Sequence, residues 1–344
     1  MKSQPVVSLR FAPSAAVLFS FVVACQVTAQ SADGFANVGF TVTGGAGGEE
    51  VTATTGEQLK EYADSNKPCT IYVSGTLQIN GMDTHVRPNK TIIGLGTNAV
   101  LEGGGLYLYK STNVIIRNLT IKGSSDDNLG MLFSQNVWVD HCTFLNAKDG
   151  NMDIGRASDN ITVSWCKFYY ETKQEHALSC LLGSSDAEMI SSNKLHVTFH
   201  HNWWAENVRE RMPSIRWGTV HLYNNYWSAA GNNYCVRTRL NAQSRIENNV
   251  FENVRNPWEV YITVTNATLG RILATNNLQL NTTWGNTTTN KKGNEVVLMV
   301  TGTDEVFTPA YTYRPDAADK VKGLVTNGAG AGKIDLAPAA SAAR

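Results

Sequence analysis

The 344 residues carry 29 Lys+Arg against 29 Asp+Glu. With no net field to select nucleic acid or an anionic membrane, any attraction to a charged polymer must be local. The length exceeds one ordinary globular domain but suits a solenoid, whose coils need only their neighbours, so one domain acting as a monomer is expected.

Residues 1–30 open with Lys2 and Arg10, run apolar from Ala15 to Cys25 and end in Val27-Thr28-Ala29. That pattern predicts an export signal cut near Ala29 or Gln30, too short for a comfortable membrane span. Cys25 offers the alternative of a lipidation site. The expected mature chain, 31–344, is then secreted, extracellular and free of membrane. It retains Cys69, Cys142, Cys166, Cys180 and Cys235, an odd count that leaves at least one thiol unpaired.

Thr54 followed by Glu57 reads as a capping box for a short helix bearing Leu59 and Tyr62, placed to plug the open end of a solenoid. Cys69–Val73 and Thr91–Gly96 read as its first rungs. A repeat then shows in one column: Asn118, Cys142, Cys166, Asn202, Asn225, Asn249 and Asn277, at steps of 24, 24, 36, 23, 24 and 28 residues. Periods of this size mark solenoids. Each unit opens with a β-branched run (Val114–Ile116, Val137–Val139, Ile161–Val163, Val197–Phe199) and has no room for a long helix. The frame of a leucine-rich repeat is missing. An all-β, single-domain, right-handed parallel β-helix with short capping helices is expected, its column asparagines bonded along the axis.

Cys142 and Cys166 stand on adjacent rungs, where strand spacing permits either a bridge or stacked free thiols. The 36-residue step implies an extra loop over 170–193, a place for a binding surface. Asp316–Thr326 suggests a second capping helix with Val321, Leu324 and Val325 inward, and the Gly/Ala-rich tail from Gly328 suggests loose order. Of the sequons at Asn89, Asn118, Asn160, Asn266, Asn281 and Asn286, Asn118 should be too buried to accept a glycan.

Two groups of residues carry chemistry. Asp149 and Asp153 flank Gly150-Asn151-Met152, and Asp127 precedes Asp149 by 22 residues, near the repeat length. The repeat brings the three to one face on neighbouring rungs. Converging carboxylates are costly without a cation, and oxygen-only ligation suits calcium; ordinary exposed loop aspartates are the alternative. The second group is Arg211-x-Pro-x-x-Arg216, where proline stiffens the segment between two guanidiniums able to grip carboxylates. A surface salt-bridge pair is the plainer reading.

Val137-Trp138-Val139-Asp140-His141, Asp149-x-x-x-Asp153-Ile154, Leu182-Gly183-Ser184-Ser185-Asp186, Val197-Thr198-Phe199-His200-His201-Asn202, Arg211-x-Pro-x-x-Arg216-x-Gly218 and His221-x-Tyr223-Asn224-Asn225, in this order, resemble the extracellular pectate lyases of polysaccharide lyase family 1. The resemblance runs from about Gly34 to Lys333. It implies calcium-dependent β-elimination of α-1,4-linked polygalacturonate. Asp127, Asp149 and Asp153 match the family's calcium ligands, Arg211 its proton-abstracting base and Arg216 its carboxylate-holding arginine. Because arginine is normally protonated, a base role needs nearby cations and implies an alkaline optimum. One departure stands out: Leu178 occupies the place of a substrate-binding lysine, leaving Lys173 or His176 as substitutes and favouring a partly methyl-esterified substrate. Pectin lyases of this fold lack the acidic cluster. A non-catalytic β-helix that binds acidic polysaccharide, and a hydrolase of similar fold, are the competing readings.

Overall fold

The computed structural model describes residues 31–79, 84–262, 268–285, 288–289 and 296–334. The expected export signal, 1–30, lies outside them, as do the sequons at Asn266 and Asn286. A representative coil consists of Thr112–Arg117, Thr120–Lys122 and Leu129–Leu132. Each strand joins one of three sheets, of ten, nine and ten strands, that run along the axis. Successive coils pair in parallel, as in Val114 against Val137 and Val137 against Ile161. The last strand among the described residues, Val296–Leu298, is antiparallel to its neighbours Trp258–Ile262 and Thr288–Thr289. The expected parallel β-helix is what folds.

The two-residue period of a strand explains which side chains go inward. Val114 and Ile116, Val137 and Val139, and Ile161 and Val163 are all fully buried. In the second sheet the inward column is aromatic: Phe144, Phe168, Trp204, Trp227 and Phe251 stack with centroids 5.3, 5.3, 4.8 and 4.4 Å apart. Truncating one such ring to alanine would cost about 3–5 kcal/mol through lost transfer energy and the cavity left behind.

The amide ladder forms from Asn202 to Asn277. Asn225 shows the pattern: its Oδ1 accepts from Asn202 N at 2.9 Å and Asn202 Nδ2 at 3.0 Å, while its Nδ2 donates to Phe199 O at 2.9 Å and Asn249 Oδ1 at 3.1 Å. Cys142 and Cys166 continue the column as free thiols, with Cys142 N donating to Cys166 Sγ at 3.4 Å and Cys166 N to Asn202 Oδ1 at 2.9 Å. Among the described residues all five cysteines are buried and unbridged. Burial pushes the Cys180 thiol up to about 12 and also raises Cys69, Cys166 and Cys235, so these four act as inert filling.

Asn118 does not belong to this column. Thr120 pairs with Thr143, which sets Leu119 against Cys142. Asn118 instead aligns with His141, Trp165, His201, Asn224, Asn248 and Asn276, all with φ between 49° and 58°. Asparagine is enriched in that left-handed region, so two separate demands place asparagine at adjacent positions. Asn118 is nonetheless buried, its amide donating to the Gly94 and Gly96 carbonyls at 2.9 Å each.

Asn225→Ala should destabilise the fold by at least about 2 kcal/mol, because it strands Asn202 N and Phe199 O, and each buried unpaired group costs about 1–3 kcal/mol. Urea unfolding checks this; wild-type stability in the variant would show that the ladder contributes nothing.

Four features differ from expectation. The first helix is Gly56–Asp64, capped by Thr55 with Gln58 completing the box, so the cap lies one residue later than the Thr54/Glu57 reading. Gln58 Oε1 also accepts from Thr54 N and Oγ1, which is why both threonines look like caps. The second helix, Ala318–Gly328, buries Val321 and Val325 but leaves Leu324 exposed. It packs its apolar face on Tyr226 and Val250 along the flank of the second sheet, and does not close an end. The tail to residue 334 is docked: Gly330 N donates to Trp165 O at 2.8 Å, Ala331 N to Thr143 Oγ1 at 2.9 Å and Gly332 N to Asn118 Oδ1 at 2.7 Å. Finally, 170–193 is not one loop. The strand Cys180–Leu182 divides it, restoring the third sheet between two excursions.

Candidate active site

The outward face of the third sheet carries the chemistry. Asp153, in Met152–Gly155, faces out between Gly130 on one coil and Leu181 on the next. Asp127 lies just ahead of Leu129–Leu132, one coil earlier. Between them Gly150 leaves the backbone bare: a Cβ there would sit 2.9 Å from Asp127 Oδ1 and 3.6 Å from Asp153 Oδ1. The two carboxylates therefore converge over that glycine. Both Oδ1 atoms are buried and lack a hydrogen-bond partner. Asp149 stands apart from them, half-exposed, its Oδ1 meeting His176 Nε2 at 3.0 Å. Among the described residues no three His, Cys, Asp or Glu side chains stand gathered to hold a metal.

Burial, then the charges of Asp153, Asp126 and Asp149, pushes the Asp127 carboxyl up to about 9. Burial likewise raises Asp153 to about 7, against the lowering pull of Arg211. Two unpartnered carboxylate oxygens converging in a desolvated cradle form an oxygen-only donor pair. That pair fits a hard cation such as calcium, with Asp127 and Asp153 as its holders.

A carboxyl whose folded pKa exceeds its unfolded value, near 3.9, binds more protons folded than unfolded, so stability falls as pH rises through the interval. For metal-free protein that interval runs from about 4 up to about 7 for Asp153 and about 9 for Asp127. Chelated protein should thus melt at a lower temperature near pH 8.5 than near pH 5, and Asp153→Asn should flatten the difference. A flat profile in unsubstituted protein, measured by calorimetry, would contradict the buried pair.

The arginines flank the short strand Ser214–Ile215. Arg211, with φ 59°, precedes the cis Met212–Pro213 bond, and its carbonyl accepts from Cys180 N at 2.6 Å. Among the described residues its guanidinium has no hydrogen-bond or ion-pair partner, while its charge reaches both Asp127 and Asp153. Arg216 is held firmly: Nε donates to Asp186 Oδ1 at 2.6 Å and Nη1 to Gly183 O at 3.0 Å. Gly183 has φ 74°, and a Cβ there would approach Arg216 O to 2.9 Å, so only glycine lets the coils close.

Sequence reasoning missed two members of this site. Asp186 lies 3.6 Å from Arg239 Nη2 as well as bonding Arg216. Arg239 has its Nε buried and unpartnered, and burial and Arg216 push it down to about 10. The available signal was the repeat itself, since Arg239 follows Arg216 by 23 residues, one coil. Leu178 is buried, its carbonyl accepting from the Tyr170 hydroxyl at 2.8 Å. His176 reaches the acidic group through Asp149, whereas Lys173 lines a separate cleft with Glu175, Asn207 and Arg209.

A family profile for pectate lyase matches residues 9–334. A pectate trisaccharide-lyase of Bacillus licheniformis is 35% identical over 324 residues, covering 89% of this chain and 87% of the relative. One from Thermotoga sp. is 39% identical over 199 residues, covering 54% of this chain and 53% of the relative. Among solved structures, a pectate lyase from Bacillus sp. N165 in complex with trigalacturonate superposes with a TM-score of 0.73 at 29% identity, covering 88% of this chain and 99% of that one. With the profile spanning nearly the whole solenoid and the Bacillus licheniformis relative matched over 87% of its length, this chain belongs to the pectate lyase family and is a polysaccharide lyase.

Proposed function

We propose that the chain is an exported enzyme that cleaves α-1,4-linked polygalacturonate by calcium-dependent β-elimination, releasing 4,5-unsaturated oligogalacturonides. The observation that carries this reading is a buried carboxylate pair, Asp127 and Asp153, unsatisfied at Oδ1 and within the field of the Arg211 guanidinium, which has no partner among the described residues. Arg216 stands five residues further on, fixed by Asp186. Export is supported by the charge and hydropathy pattern of residues 1–30.

Elimination breaks the C5–H bond, forms the C4–C5 double bond and expels the glycosidic oxygen from C4, which is protonated from solvent. Arg211 takes the C5 proton; the support is that its guanidinium has no hydrogen-bond or ion-pair partner among the described residues. Arg216 grips the carboxylate on C5 and so holds that proton in line while stabilising negative charge that grows on the carboxylate. A calcium ion on Asp127, Asp149 and Asp153 would supply Lewis-acid stabilisation of the uronate carboxylate and cancel the field those aspartates place on Arg211. Leu178 removes one cation from the cleft, which favours a substrate carrying some methyl esters.

Incubating the protein with polygalacturonate and calcium and following ultraviolet absorbance tests the reading. Rising absorbance reports the conjugated, unsaturated product. Reducing ends without absorbance would indicate hydrolysis, and neither signal would indicate a non-catalytic binder.

A further inference from the structure

The third sheet's outer face continues past the acidic pair toward the N-terminal coils, and there its character changes. Tyr107 pairs with Gly130 and Gly130 with Asp153, so Tyr107 stands two coils from Asp153 in the same outward column. Tyr109 is the next outward residue and is 45% exposed, so part of it meets solvent. The two rings are nearly parallel, 9° apart with centroids at 6.4 Å, and Phe133 meets Tyr109 edge-on at 5.8 Å.

Cations border these rings. Lys110 Nζ lies 5.1 Å from the centre of the Tyr109 ring. Lys110, Phe133 and Arg156 occupy equivalent left-handed positions, with φ of 54°, 54° and 50°, on three successive coils. Their backbones are linked coil to coil: Lys110 N donates to Leu132 O at 3.0 Å and Phe133 N to Arg156 O at 3.1 Å. Left-handed backbone is costly for a bulky aromatic, and Phe133 is only half-buried, so the core gains little from it. At this position its ring reaches Tyr109 on the sheet's outer surface. Among the described residues the Arg156 guanidinium has no partner.

We infer that Tyr109 and Phe133, bordered by Lys110 and Arg156, form an outer binding station for a uronate unit of the polymer, distant from the cleavage point. The inference rests on the polygalacturonate reading above. Coils repeat at about 4.8 Å, close to the length of one sugar unit, so a polymer lying along the axis across Asp153 meets Tyr109 about two sugars further on. The ring's negative face repels a carboxylate and accepts an apolar C–H face. The pyranose therefore lies on Tyr109 while its carboxylate points to Lys110 or Arg156.

The test is calorimetric binding of oligogalacturonates of three and eight units, with calcium, to protein carrying Arg211→Lys to prevent turnover. Tyr109→Ala in that background should weaken the octamer about three- to tenfold and leave the trimer unchanged, whereas Tyr109→Phe should keep octamer affinity. Melting temperatures confirm that the exposed position leaves the fold intact. Equal octamer affinity with and without Tyr109, an equal loss for both ligands, or a loss with phenylalanine as large as with alanine would each overturn the station. Failure of the functional reading shows separately, as absence of unsaturated product from unsubstituted protein.

Discussion

Arg211→Lys should lower kcat on polygalacturonate by several orders of magnitude while KM moves little. The guanidinium takes no part in holding this fold together, being unpaired among the described residues, so its loss is felt where it meets the C5 proton. An interaction realised chiefly in the transition state appears in kcat. Lysine keeps the charge but cannot put a nitrogen where the planar fork reached. Arg216→Lys provides the contrast. Arg216 is anchored at once by Asp186 and the Gly183 carbonyl, and a single ammonium cannot satisfy both while gripping a carboxylate bidentately. That variant should raise KM and lower kcat more modestly. Steady-state kinetics at saturating calcium decide the matter: if Arg211→Lys keeps more than about a tenth of wild-type kcat, a loss under about 1.4 kcal/mol, another group takes the proton. The search would then begin at His176, which already touches Asp149, before Lys173 in its separate cleft.

Excess chelator should reduce cleavage of polygalacturonate to background, and Asp153→Ala should raise the calcium concentration needed for half-activity at least tenfold. Asp127 and Asp153 are desolvated, mutually repelling and unsatisfied at Oδ1. Without a cation they relieve this only by holding protons, and a protonated pair offers little to a substrate carboxylate. Removing Asp153 removes half of the converged pair, and Asp149, already counted among the proposed holders, cannot stand in for it. Titrating calcium back into chelated enzyme measures both effects. Full activity in excess chelator would place the chain with eliminations that use no calcium and act on methyl-esterified pectin.

The parallel β-helix was legible because β-branched runs at a coil-length spacing leave few alternatives, and because the amide column repeats one letter. The same letter concealed the register at Asn118. Asparagine suits both the left-handed corner and the ladder position beside it, and only the doublets Asn224-Asn225, Asn248-Asn249 and Asn276-Asn277 show the two demands together. Where Leu119 fills the ladder, the corner Asn118 is the only asparagine left to align. The approach of Asp127 to Asp153 was readable from the coil spacing, whereas the turn of Asp149 toward His176 was not. Nor were Arg239 and Asp186, since a coil-spaced arginine has no motif of its own and Asp186 reaches its partners only when an excursion folds back. The helix Ala318–Gly328 misled for a related reason. An amphipathic pattern states that one face is covered, not by which surface, and here the cover is the solenoid's flank.

The docked tail has a consequence for the order in which the molecule can be assembled. A coil needs only its predecessor as a template, so stacking can advance from the N-terminal end while later residues are still being made. The bond from Gly332 to Asn118 spans 214 positions of sequence, and no amount of local stacking supplies it early. The middle coils must therefore wait, with the Trp165 corner and the Thr143 hydroxyl uncovered, until the last segment arrives to close over them. Residues 330–332 serve as a late clasp on the middle of the protein, so losing their contacts would loosen coils that lie far from them in sequence.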